Sequence, residues 1–480
     1  MSEESLKSKT VKGVIWKGIG QYSTYVVQFV ISIILARILA PDQYGIIGMI
    51  GVFTSIISIF IDCGFATSLI RKPDHNQTDF STLFFFNIVA SFIGYFIIFF
   101  ISPWIADFYN EPILEKVAKV QALNMVIGSF STVQGIQYTI KMDFKTTSKI
   151  GLVCTIISGI CGIIMAYNGF GVWALVGQGL IKQVLCGVSY WYFSSWRPTW
   201  EFSRQTMKYM WNFGYKMLLS SLLNTVFNNI YTLVIGKFYS ARDLGNYSRT
   251  MNYAQLPSSQ LNSIFSGVAF PMLCSIQNDD ARLARVYRQY LRTIAFIVFP
   301  LMIGMAAVAK PLIIIMLTEK WIDVVALLQL ICLSMMWYPI HAINLSLLQV
   351  KGRSDLFLRL EVIKKIIIVI VLCITIPISL KAMVVGSICT SLICLFINTY
   401  YTGKLIHVGY FLQMKDLIPI LLLTLFMGLC VYIVTLVLPG YPLQLTVGVI
   451  TGVIIYVGVA YLFKMPELKD MLSLLKLRKK

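Results

Sequence analysis

Apolar runs of about 20 residues recur along this chain, with short polar connectors between them. Ser81–Ile101 and Ile418–Leu438 are two examples. A helix needs about 20 apolar residues to cross a bilayer, and these runs are too apolar for the helices of a soluble domain. The pattern predicts an all-α, polytopic membrane protein with about fourteen transmembrane helices. They are predicted at 14–37, 46–70, 81–103, 118–140, 150–167, 172–194, 213–236, 248–270, 291–309, 324–348, 361–379, 383–403, 416–438 and 443–463.

The composition agrees, with 57% hydrophobic and 13% charged residues. An even number of spans places both termini on one side of the membrane. Most of the 40 Lys and Arg residues fall in segments on that side, and the positive-inside rule then makes both termini cytoplasmic. The net charge of +19 therefore reflects topology and contact with membrane lipids, and no nucleic acid is expected as a partner.

The two halves of the chain are related by an internal repeat at an offset of 200 residues. Residues 35–47 (LARILAPDQYGII) and 235–247 (IGKFYSARDLGNY) each end a long span and turn into the next, with Gly45 and Gly245 aligned. The repeat predicts two pseudo-symmetric six-helix lobes and two further helices. The predicted boundaries are 1–195 for the N-terminal lobe, 196–410 for the C-terminal lobe, and 411–480 for the extra helices and a basic cytoplasmic tail.

Polar residues line one face of the first span and one face of the seventh, because they recur every three or four positions. A polar stripe within a membrane must face protein or water. Matching stripes predict a watery cavity shared by the two lobes, and the alternative is hydrogen bonding between packed helices. The stripes consist of Lys17, Gln21, Thr24, Gln28 and Ser32, and of Lys216, Ser220, Asn224, Asn228 and Thr232.

Charged residues inside the predicted spans are candidates for function. Lys182 lies within the sixth span, and Arg37 and Arg249 lie near outer helix ends, where snorkelling to the headgroups is the alternative. With Lys17 and Lys216 these residues would make a cationic cavity suited to an anion such as a diphosphate. Asp62 is the acid deepest in a span, either an ion-coupling residue or the partner of a Lys or Arg.

The sequence contains none of the catalytic or nucleotide-binding motifs that were sought. It has no phosphate-loop, zinc-protease or nucleophile-elbow motif, so no catalytic residue and no cofactor are expected. The ten cysteines form no spaced metal-binding set, and His341 is expected to be a satisfied polar contact. The first residues lack the pattern of a cleaved signal peptide, so the first span is expected to be retained.

Several segments resemble one family of membrane transporters. The chain is similar to the polysaccharide-transport flippases of the Wzx-like, colanic-acid-exporter type, within the multidrug/oligosaccharidyl-lipid/polysaccharide exporter superfamily. The similarity covers about residues 1–410, and the last two spans match only in topology. The segments that carry it are Leu35–Gly45, Asp62–Arg71, Asp79–Phe84, Leu244–Arg249, Phe270–Pro271 and the basic run Arg282–Arg292.

The resemblance implies an alternating-access flippase in the bacterial cytoplasmic (inner) membrane. It implies export of undecaprenyl-diphosphate-linked oligosaccharide repeat units to the outer leaflet, for exopolysaccharide, O-antigen or capsule synthesis. It also implies coupling to a proton or sodium gradient, and work beside a polysaccharide polymerase and a chain-length regulator.

Three alternatives stay open at this point. A multidrug or organic-cation antiporter of the same superfamily would need several acids in its cavity, whereas the spans offer Asp62 against several Lys and Arg. A membrane polymerase or ligase would need larger outer loops. A lipid II flippase is a near neighbour of the favoured function, but the segments quoted above favour the polysaccharide group.

Overall fold

The computed structural model describes residues 3–72 and 74–469, and the regular structure in this part of the chain is helical throughout. The chain forms two compact units, Met1–Gly245 and Asn246–Lys480. Residues 470–480, which hold much of the predicted basic tail, lie outside the described residues. The predicted lobe boundaries at residues 195 and 410 stay predictions.

The first unit is a helical bundle in which α1 packs on α7, α7 on α8, α8 on α6, α6 on α4 and α4 on α2. Its helices are α1 (Glu3–Ile38), α2 (Pro41–Asp62), α3 (Phe65–Arg71), α4 (Gln77–Tyr109), α5 (Ile113–Gln121), α6 (Leu123–Ile140), α7 (Phe144–Tyr167), α8 (Val172–Phe193), α9 (Arg204–Asn228) and α10 (Ile230–Phe238).

In the second unit α12 packs on α18, α18 on α19 and α16 on α17. Arg288 on α12 donates two hydrogen bonds of 2.7 Å to Asp416 on α18, and Arg292 pairs with the buried Glu467. The helices are α11 (Ala241–Ser275, starting at the end of the first unit), α12 (Asp280–Ala307), α13 (Ala309–Leu317), α14 (Asp323–Met335), α15 (Tyr338–Val350), α16 (Ser354–Thr375), α17 (Leu380–Ile406), α18 (Tyr410–Val437) and α19 (Tyr441–Leu462), with a 3-10 turn at Glu319–Trp321.

The helices confirm a multi-pass membrane protein. Within the described residues, 10 helical segments are long and apolar enough to cross a membrane, or up to 11 if the bent pair α9 and α10 is one span. The predicted spans 118–140, 248–270 and 361–379 are helical, but they are too short or too polar to be counted on this measure. The number fourteen is therefore not confirmed, although each predicted span coincides with helix.

The predicted span 46–70 is interrupted between α2 and α3. Cys63 and Gly64 both adopt left-handed backbone conformations, with φ of 44° and 67°. A Cβ on Gly214 of α9 would lie 2.3 Å from the Cys63 carbonyl oxygen. The interruption therefore coincides with a close approach of α9, which only a glycine at position 214 allows.

The turns of the internal repeat correspond in structure. The turn from α1 to α2 leaves the first helix at Ile38, and the turn from α10 to α11 leaves its helix at Phe238. In each turn a side chain three residues into the next helix accepts a hydrogen bond from the capping backbone amide. Gln43 accepts from Ala40 at 3.4 Å, and Asp243 accepts from Ser240 at 3.3 Å. The two aligned segments thus fold in the same way.

The two repeat glycines pack α2 and the first turn of α11 backbone to backbone. A Cβ on Gly45 would lie 1.8 Å from the carbonyl oxygen of Ala241, and a Cβ on Gly245 would lie 1.8 Å from that of Pro41. Pro41 and Ala241 are themselves related by the repeat offset, so the contact is reciprocal. Both glycines are required here because any side chain would collide with a backbone atom.

Asp79 is the centre of a buried hydrogen-bond network at the start of α4. Its side chain is 1% exposed, and it accepts from Lys72 Nζ at 2.7 Å, from Thr206 Oγ1 at 2.6 Å and from the Asn76 amide at 2.9 Å. Asn76 in turn accepts from the Asp79 amide, which completes a capping box. The network thus joins the start of α4 to the first turn of α9.

The connector between α8 and α9 is bound to the first turns of α4. Gln77 donates to the Arg197 carbonyl at 2.6 Å, and the Trp196 indole donates to the Gln77 side chain at 2.7 Å. Ser81 and Thr82 accept from the amides of Thr199 and Ser203, each at 3.0 Å. These contacts hold residues 194–203 against the start of α4.

Candidate functional site

The first polar stripe lies on α1, and the second lies on α9 and ends at Thr232 on α10. Most residues of the two stripes are exposed, whereas Thr24, Ser32 and Thr232 are half-buried. Gln21 donates to Tyr25 at 3.1 Å, and the Lys17 ammonium lies 5.1 Å from the centre of the Phe144 ring. On α9 the Lys216 ammonium lies 5.8 Å from the Tyr215 ring. The bundle core buries none of the predicted ligands on these two helices, and the predicted cavity stays a prediction. The exposed residues are Lys17, Gln21, Gln28, Lys216, Asn224 and Asn228.

The other predicted cations differ in their surroundings. Lys182 is half-buried on α8, one turn before Cys186, and Arg37 is exposed at the end of α1. Arg249 is only 6% exposed and lies 5.8 Å from the centre of the Trp321 ring. In this structure Arg249 does not snorkel; it is buried against an aromatic ring.

Asp62 is exposed at the end of α2 and lines an open polar pocket with a volume of about 290 Å³ in the first unit. It forms no ion pair within the described part of the chain, so the structure lends no support to its role as the partner of a Lys or Arg. The pocket is formed by α2, α4, α6 and α8. The other polar side chains that line it are Ser58, Asn87, Ser129, Thr132 and Gln183.

These pocket residues and a charged pair in the second unit were not among the residues predicted from the sequence. Asn87 stands in the run Phe84-Phe85-Phe86-Asn87-Ile88, where a single amide within an apolar span is itself a signal. On α16 the Lys364 ammonium pairs with Glu361. Glu361 and Lys364 both lie at the start of the predicted eleventh span, 361–379.

His341 is a satisfied polar contact, as predicted. Its Nε2 lies 2.9 Å from Ser391 Oγ, and its Nδ1 lies 3.1 Å from the side-chain nitrogen of Asn398. Within the described residues, no group of three or more His, Cys, Asp or Glu side chains is placed to hold a metal ion.

Long apolar helices define the class of this protein: a multi-pass, helical membrane protein. The fold is similar to that of a solved structure, the lipid II flippase MurJ in an inward closed conformation. The TM-score is 0.76 at 13% sequence identity, covering 95% of this chain and 100% of that one.

The chain belongs to the polysaccharide biosynthesis protein family, whose model matches residues 34–326. It is 28% identical over 380 residues to an uncharacterized membrane protein in the cps region of Klebsiella pneumoniae, covering 77% of this chain and 76% of that protein. It is 26% identical over 367 residues to the lipopolysaccharide biosynthesis protein WzxC of Escherichia coli (strain K12), covering 75% and 74%. The resemblance found in the sequence is thereby confirmed at the level of the family.

Proposed function

We propose that this protein is a flippase that moves undecaprenyl-diphosphate-linked oligosaccharide repeat units from the cytoplasmic to the outer leaflet. One observation carries the proposal: a chain of the polysaccharide biosynthesis family has, over 95% of its length, a fold similar to that of a lipid II flippase. The relative WzxC, named for lipopolysaccharide biosynthesis, supports a glycan as the cargo.

The charges of the candidate site support an anionic headgroup. Lys17 and Lys216 are exposed at corresponding positions of α1 and α9, and Lys182 is half-buried within α8. Lys ammonium groups bind phosphate as point charges, and Arg binds it as a fork, as proposed for Arg37 and Arg249. The amides Gln21, Gln28, Asn224 and Asn228 would donate to and accept from sugar hydroxyls.

The proposed mechanism is alternating access driven by a proton or sodium gradient, with Asp62 as the coupling residue. The proposed place is the bacterial inner membrane, with both termini in the cytoplasm. A polysaccharide polymerase and a chain-length regulator would use the exported units. No catalytic residue or cofactor is part of this proposal.

The test is transport of a fluorescent undecaprenyl-diphosphate-oligosaccharide in proteoliposomes. Wild type is expected to move the lipid, and Lys182→Ala and Lys216→Ala to slow it about tenfold to a hundredfold, because each removes a charge-assisted contact. Lys208→Ala is the matched control, since Lys208 is an exposed cation on the same helix α9 with no proposed role.

Each outcome of this test bears on a separate part of the proposal. Transport that is equal in wild type and all three variants would keep the function and reject the cationic site. No transport of several glycan lipids, together with efflux of organic cations, would replace the flippase by a multidrug antiporter. Formation of glycan bonds by the purified protein would indicate an enzyme instead.

A further inference from the structure

The basic run Arg282–Arg292 forms the first turns of α12, and the proposed transport site does not use it. The ends of three other spanning helices meet this run: α17 ends at Ile406, α18 begins at Tyr410, and Pro466 follows the end of α19. These elements enclose a cavity of about 790 Å³ within the second unit. Because spanning helices end near the membrane surface, the cavity lies at the depth of the lipid headgroups.

An apolar groove of about 880 Å³ continues from this cavity between α18 and α19. The cavity and the groove share Arg292, Pro466 and Glu467 as lining residues. Both helices are long and apolar enough to cross a membrane, and Leu422 and Phe463 in the groove are 61% and 79% exposed. The groove therefore opens towards lipid acyl chains. A polar cavity joined to such a groove fits a molecule with a polar head and an apolar tail.

The ion pair between Arg292 and Glu467 leaves atoms of both partners unused. Arg292 donates to Glu467 through Nε, and its terminal nitrogens donate no hydrogen bond within the described residues. By contrast, Arg288 binds Asp416 through both Nε and Nη2. The second carboxylate oxygen of Glu467, Oε2, is buried and has no hydrogen-bond partner. A buried oxygen of this kind is costly, and a bound donor would satisfy it.

Two further cations border the site and have no acidic partner in the described part of the chain. Arg285 lines the cavity and Lys415 lines the groove, and both side chains are exposed. Arg285 and Arg292 are seven residues apart, so they lie on one face of α12. Guanidinium and ammonium groups are the donors that bind phosphate. The site thus offers donors for a phosphate close to a carboxylate oxygen that needs a donor.

We propose that this site binds a membrane phospholipid with an ethanolamine headgroup, with an acyl chain in the groove between α18 and α19. The phosphate would accept from Arg292 and Arg285, and the primary ammonium would donate to Glu467 Oε2. Binding of this lipid does not depend on the proposed flippase function, because every lining residue named here lies outside the proposed transport site.

Other occupants would leave part of the site unused. A soluble phosphate compound would leave the apolar groove empty. A glycerol headgroup would bring hydroxyl donors but not the positive charge that a carboxylate attracts. A choline headgroup has the same two charges as ethanolamine, but its quaternary nitrogen has no hydrogen to donate to Glu467. Choline is therefore the matched control among the lipids.

The test is native mass spectrometry of the purified full-length protein, titrated in detergent with dioleoyl lipids that carry ethanolamine, choline or glycerol headgroups. Wild type is expected to bind the ethanolamine lipid about tenfold more tightly than the choline lipid, the effect of one charge-assisted hydrogen bond. Glu467→Gln is expected to reduce that preference to about twofold or less, since a neutral amide attracts an ammonium only weakly.

Arg285→Gln is expected to weaken binding of the ethanolamine and choline lipids about fivefold each and to leave their ratio unchanged, because it removes a phosphate contact alone. Arg285 is exposed, so this variant tests the site even where Glu467→Gln folds poorly. Arg282→Gln is the matched control and is expected to bind like wild type. Arg282 is an exposed arginine on the same helix, and it does not line the cavity.

Equal affinity of wild type for the ethanolamine and choline lipids would overturn the proposal. Tightest binding of the glycerol lipid would also overturn it and would indicate an anionic headgroup. Equal losses in Arg282→Gln and Arg285→Gln would reduce the site to general attraction by a basic surface. An ethanolamine preference that persists in folded Glu467→Gln would place the lipid elsewhere. Glycan transport is measured in a separate assay, so failure of either proposal leaves the other standing.

Discussion

Gly45→Ala is expected to destabilise the protein by about 3 kcal/mol, the upper end of the usual cost of overpacking. The added methyl group would lie 1.8 Å from the carbonyl oxygen of Ala241. Because the carbonyl oxygen is a backbone atom, no change of side-chain rotamer can relieve the collision. The added methyl group therefore forces α2 away from the start of α11. Gly245→Ala is expected to do the same through the carbonyl of Pro41. Thermal unfolding of the purified protein in detergent measures the effect.

Gly51→Ala is the matched control for Gly45→Ala. Gly51 lies on the same helix α2, and a Cβ there would meet no atom within 4 Å. This change is expected to be neutral or to stabilise by up to about 1 kcal/mol, because alanine is the better helix former. Unfolding of Gly45→Ala at the wild-type temperature would contradict the reciprocal contact.

Asp79→Asn is expected to cost about 3 kcal/mol of stability, the lower end for breaking a buried ion pair. Asp79 is 1% exposed and accepts from Lys72, Thr206 and the Asn76 amide. An amide cannot accept all three bonds, and Lys72 is left with an unpaired charge. The lower end applies because the Lys72 side chain is 26% exposed, so water screens part of that charge.

The same unfolding measurement on Asp74→Asn provides the control for Asp79→Asn. Asp74 is an exposed acid in the loop before α4, and its replacement is expected to change stability by less than about 0.5 kcal/mol. If the two variants unfold alike, Asp79 is not the centre of a stabilising network.

Helices were predictable from this sequence because hydrophobic length and turn residues are local properties. The turns at Pro41 and Ala241 lie where the repeat places them. Most polar residues of the two stripes are exposed, and the cavity that the stripes predict stays a prediction. The break at Cys63 and Gly64 was not predictable, since a left-handed cysteine has no sequence signature. It becomes understandable only when α9 and its Gly214 lie against the break.

The residues of the candidate site were likewise predictable from the sequence only in part. Asp62 was found because a lone acid in a span is costly wherever its partners lie. Asn87, Thr132 and Gln183 were not found, because they meet Asp62 only through the packing of four helices. Arg249 was predicted near a helix end, but it lies about two turns inside α11. Its burial against Trp321 depends on a residue far along the chain.

The central claim is that the protein moves a lipid-linked oligosaccharide between leaflets. The most direct test is to label sugars on the outer face of intact spheroplasts with a membrane-impermeant oxidant, before and after depletion of this protein. If the protein is the flippase, labelled lipid-linked oligosaccharide is expected to fall to background on depletion, while the total amount in the membrane is maintained or rises. An unchanged labelled fraction at full depletion would contradict the proposed flippase function.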